Sequence, residues 1–126
     1  MDRRTKKPTL LIIDDEKLIC EVLSSLVNHL TQRITVITAT SVEEALKLIP
    51  KADMIISDIK MPNQHVLDEV LKKVMSDKPV ARMSGVTQDK INFMIEKPFR
   101  PQQVAETLQF LYSFLRANSP PMSSAA

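Results

Sequence analysis

Thr9-Leu10-Leu11-Ile12-Ile13 is a short run of branched side chains, apolar from Leu10 onward, and Asp14-Asp15-Glu16 follows it without a spacer. A strand with one wet face alternates polar and apolar residues. A continuous apolar run fits a strand buried on both faces, as in parallel sheets. Downstream, Glu16 to Thr31 carries Ile19, Leu23, Leu26 and Leu30 at helical spacing. Ile34 to Thr38 reads as a second strand. Ser41 with Glu44 three residues later forms a capping box that opens a helix through Ile49, with Pro50 just past its end.

Met54-Ile55-Ile56-Ser57 is a third buried strand, and Asp58 follows it. A loop holding Met61-Pro62 leads to a helix from about Val66 to Ser76. Pro79 to Ser84 reads as a fourth strand and Asn92 to Glu96 as a fifth. The last helix carries Pro101 in its first turn. Val104, Leu108, Leu111 and Leu115 form its core stripe, with Phe110 and Phe114 as a second ridge beside it. The two aromatics either fold inward over a bare strand edge or form a patch for a partner or a second copy.

Five strand–helix alternations predict a parallel sheet with helices on both faces. Only residues 85–91 separate Ser84 from the fifth strand, too few for a full crossover helix. A shortened or missing fourth helix is therefore expected.

The chain has 126 residues, enough for one domain, with 44% hydrophobic and 25% charged residues. A net charge of only +2 gives no field to recruit nucleic acid or a membrane surface. Arg3-Arg4 and Lys6-Lys7 read as a solvated arm over residues 1–8, with residues 9–116 as the domain and 117–126 as a flexible tail or the start of a linker. Cys20 has no second cysteine to pair with, which excludes a disulfide framework. No apolar run reaches the ~18 residues of a membrane span, and a cytoplasmic setting is expected.

In open parallel sheets, ligands bind beyond the carboxyl ends of the strands. Those ends hold Asp14 and Asp15, Asp58, Ser84 with Gly85, and Lys97-Pro98-Phe99. Clustered carboxylates repel unless a cation joins them, and hard oxygen donors suit Mg²⁺. An amine and a hydroxyl beside them suit a phosphoryl group in transfer.

The stretches Leu11-Ile12-Ile13-Asp14-Asp15-Glu16, Ile56-Ser57-Asp58-Ile59-Lys60-Met61-Pro62, Ser84-Gly85 and Lys97-Pro98-Phe99 resemble the receiver domains of response regulators. The resemblance runs from about Thr9 to Arg116. It implies a flavodoxin-like (CheY-like) α/β fold, a five-stranded parallel sheet in the order 2-1-3-4-5. It implies that Asp58 accepts a phosphoryl group from a histidine kinase or phosphotransfer protein. Asp15 would bind Mg²⁺ directly and Asp14 mainly through water, beside Asp58 and the Lys60 backbone carbonyl. Ser84 and Lys97 would meet the phosphoryl group.

The linker-like tail Asn118-Ser119-Pro120-Pro121-Met122 leaves room for an output domain beyond the C-terminus, with a separate effector as the alternative. The aromatic ridge adds the expectation of a dimer through the last helix. The domain is expected to be a switch, not an enzyme in the ordinary sense. Two departures stand out. Met94 occupies the place where the family usually has an aromatic, with Phe93 one position earlier, and His65-Val66 replaces its common Asp-Gly. They leave open a degenerate receiver that binds a partner constitutively. A dehalogenase-like phosphotransferase needs a second Asp two residues after the acceptor, where this chain has Lys60.

Overall fold

The structure is a computed structural model and describes residues 7–58, 60–84, 94–96 and 101–117. Its elements are β1 (Thr9–Ile13), α1 (Lys17–Leu30), β2 (Thr35–Ala39), α2 (Val42–Leu48) with a 3-10 turn at Ile49–Lys51, β3 (Met54–Asp58), α3 (Gln64–Val74), β4 (Val80–Ser84), β5 (Met94–Glu96) and α4 (Pro101–Ala117). The strands form one parallel sheet in the order β2-β1-β3-β4-β5. The chain runs outward from β1 to β2 and then restarts on the other side of β1 with β3. That reversal is the switch point of an open sheet.

Alternation along the strands splits the core into two layers. Leu10, Ile12, Met54, Ile56, Ala81 and Met83 face α1 and α4, where they meet Cys20, Leu23, Val27, Val104, Leu108 and Leu111. Leu11, Ile13, Ile55 and Val80 face α2 and α3, where they meet Val42, Ala45, Leu67 and Leu71. The apolar runs of β1 and β3 are therefore buried on both faces. β2 lies at the sheet's edge, so Thr35 and Thr38 stay exposed.

Several expected boundaries shift. α1 buries Cys20, Leu23 and Val27, while Ile19 and Leu26 are half-buried and Leu30 is exposed. The stripe is rotated so that Cys20 turns inward, its thiol 3.5 Å from the Asp14 carbonyl. Pro50 falls inside the 3-10 turn that extends α2, where its missing N–H leaves no bond unmade. The Ser41 cap holds, its Oγ accepting from the Glu44 N–H at 3.0 Å. Glu44 reaches back to the Thr40 N–H at 2.8 Å, one residue earlier than the usual capping box.

α3 opens at Gln64, two residues before the expected start, because Asn63 takes a left-handed turn at φ 64°. β5 is described only as Met94–Glu96, and the shortened fourth helix expected within residues 85–93 lies outside the described residues. Phe110 packs against the α1/α4 core together with the half-buried Leu115, and Phe114 is half-buried. Phe110 thus turns toward the α1/α4 core, while the segment whose shortening would bare a strand edge lies outside the described residues.

Candidate functional site

Parallel strands deliver all their carboxyl ends to one edge of the sheet, and the register sets their levels. Ile13 is level with Ser57, Asp58 with Met83, and Ser84 with Glu96. Asp14, one step past Ile13, thus reaches the level of Asp58, the last residue of β3. Ser84 ends β4 one step further on. Lys97 follows Glu96 directly in sequence and lies outside the described residues, as does Ile59.

Asp14 is fully buried, and its Oδ1 accepts from the Glu16 N–H at 2.8 Å. Its own N–H continues the β1–β2 ladder to the Ala39 carbonyl at 3.1 Å. Asp58 is only 5% exposed. The Lys60 N–H lies 3.4 Å from Asp58 Oδ1, a long bond that closes the turn leaving β3. Asp15 and Glu16 face solvent.

Partial desolvation, followed by the charges of Asp14 and Asp58, pushes the Asp15 carboxyl above its ordinary range. A hydrogen bond shared with Asp14 acts in the same direction, and a backbone hydrogen bond at Asp15 opposes it. Carboxylates from two strand ends, Asp14 and Asp58, therefore both act on Asp15.

Carboxylate oxygens of Asp14, Asp15 and Glu16 lie within 4.8 Å of each other. Glu16 had no role in the sequence reading, though it completes the acidic triplet there. Mutually repelling, oxygen-only donors at a half-open edge fit a hard divalent cation such as Mg²⁺. The sequence reading also passed over Gln64, Asp68 and Arg82. Gln64 and Asp68 stand one helical turn apart on α3, a pairing visible in sequence. Arg82 is the one charged residue of β4. A charge in an otherwise apolar parallel strand signals a partner.

The fold and this edge define a CheY-like α/β protein with an acidic site at the switch point of its sheet. The chain belongs to the response regulator receiver domain family, whose model matches residues 10–109. Domains of this family are signalling phosphoacceptors of two-component systems. Solved structures of similar fold include the chemotaxis response regulator CheY4 of Vibrio cholerae. It is 24% identical at a TM-score of 0.71, over 83% of this chain and 98% of that one. The response regulator PhyR from Brucella abortus is 24% identical at a TM-score of 0.73, over 88% of this chain and 50% of that one. A CheY-like receiver domain protein from Methanospirillum hungatei is 18% identical at a TM-score of 0.73, over 90% and 99%. At these identities the likeness is one of fold.

Proposed function

We propose that this domain takes a phosphoryl group onto Asp58 and works as a phosphorylation-dependent switch. The observation that carries the reading is the nearly buried Asp58 carboxylate at the end of a central strand, within electrostatic reach of Asp15. An Asp58 oxygen attacks phosphorus, the bond from phosphorus to the donor's nitrogen or oxygen breaks, and its electron pair leaves with the donor. A histidine kinase, a phosphotransfer protein or a small acyl phosphate serves as donor.

Asp14, Asp15, Asp58 and the Lys60 carbonyl would hold Mg²⁺, with Glu16 close to the same set. When bound, the ion neutralises charge on the acidic edge and on the transferring group. Lys97 pairs its ammonium with the phosphoryl oxygens, and the Ser84 hydroxyl donates to one of them. The domain spans residues 9–116 and passes its state to an output domain or a separate effector in the cytoplasm.

Incubation with acetyl phosphate and Mg²⁺ tests this reading. Wild-type protein should be labelled, Asp58→Asn should not, and removing Mg²⁺ should abolish labelling of the wild type. Label of equal extent on Asp58→Asn contradicts the assignment.

A further inference from the structure

The loop from β3 to α3 is closed by two reciprocal hydrogen bonds. The Gln64 N–H donates to the Met61 carbonyl at 3.0 Å, and the Met61 N–H donates to Gln64 Oε1 at 3.1 Å. The Gln64 side chain has one usable orientation. Its Nε2 donates to Asp68 Oδ1 at 2.8 Å, and because a carboxylate only accepts, the amide oxygen is left for Met61. Asp68 is held from the other side by Arg82 on β4, whose Nη2 donates to the same Oδ1 at 2.7 Å.

Arg82 is an odd choice for stability alone. Val80, Ala81 and Met83 around it are apolar and buried. Its buried Nε has no hydrogen-bond partner among the described residues, which is a cost to folding.

The Met61 N–H and the Lys60 C=O belong to one planar peptide, and in the trans form they point in opposite directions. Fixing the N–H fixes the axis of the carbonyl. A donated N–H also polarises the peptide and makes its oxygen a better ligand. We infer that Gln64 is a positioning residue that aims the Lys60 carbonyl at Mg²⁺, itself held in place by Asp68 and Arg82. This rests on the metal reading above and adds a partner beyond the ligands themselves. Such outer partners commonly tune metal affinity.

Mg²⁺ titration of the full chain, read by calorimetry and by the ¹³C shift of the Lys60 carbonyl, tests it. Folded Gln64→Ala should bind Mg²⁺ about tenfold more weakly, with a smaller Mg²⁺-induced shift at Lys60. Asp68→Ala should weaken binding in the same direction, and more than Glu69→Ala, which removes a neighbouring exposed carboxylate. The double variant Gln64→Ala/Asp68→Ala should bind no more weakly than Gln64→Ala alone, because both are links of one chain.

Unchanged affinity in Gln64→Ala, with Asp15→Asn still weakening binding, overturns the positioning role and leaves the metal site standing. A wild-type chain that binds no Mg²⁺ overturns both. If Gln64→Ala does not fold, Arg82→Met carries the test: lost affinity supports the role, and unchanged affinity overturns it.

Discussion

Asp15 works against folding while the acidic edge lacks a cation. Its desolvation and the charges of Asp14 and Asp58 raise its carboxyl above the ordinary value of 3.8, so the folded protein keeps that proton to higher pH than the unfolded chain does. Between the ordinary and the raised value the native state binds more protons, and stability falls as pH rises through that window. Above the window the full cost remains. Asp15→Asn should therefore be more stable than wild type at neutral pH without Mg²⁺, with the gain vanishing once pH drops below the ordinary value. Urea denaturation at several pH values checks this. Mg²⁺ should stabilise the wild type by mass action, and the variant less. A variant less stable than wild type at neutral pH without Mg²⁺ would contradict the electrostatic account. The carboxylates were legible in sequence because each directly follows, or ends, an apolar strand. The spacing of Gln64 and Asp68 and the lone charge of β4 were legible too, but the Asp68–Arg82 link was not, because it joins a helix to a strand and its geometry is written only in the packing.

Among the elements, β1 matched its expected span because both ends are marked, by Pro8 before it and the acidic triplet after it. α3 did not, since its start depends on the left-handed turn at Asn63, a local choice that apolar periodicity does not reveal. In α4 the stripe of Val104, Leu108 and Leu111 is buried as the spacing implied, with Leu115 packed at its end. Thr107 joins the buried side by returning its hydroxyl to the Gln103 carbonyl at 2.9 Å. Phe110 lies half-buried against the same core. Phe110→Ala should cost roughly 2 kcal/mol, below the value for a fully buried Phe. Chemical denaturation measures that loss, and sedimentation of the same variant tests the dimer expected through this helix. An unaltered unfolding midpoint would show that the ring adds nothing to the core.

At the scale of the whole molecule, both layers of core lean on β1 and β3, and the ends of those two strands carry the acidic site. The doubly buried centre of the sheet thus ends in the acidic residues Asp14 and Asp58, while Asp15 and Glu16 stay open to solvent. Among the described residues no helix is long and apolar enough to cross a membrane. The alternation of strands and helices made this architecture readable. The partner that reads the switch was not, because output surfaces are chosen by another molecule's chemistry. The most direct measurement is to trap the modified residue. Protein incubated with acetyl phosphate and Mg²⁺ is reduced with borohydride, which converts an aspartyl phosphate to homoserine, and its peptides are sequenced by mass spectrometry. The account predicts homoserine at position 58 and nowhere else. Homoserine at position 14 or 15, or none at 58 in protein that carries label, would contradict it.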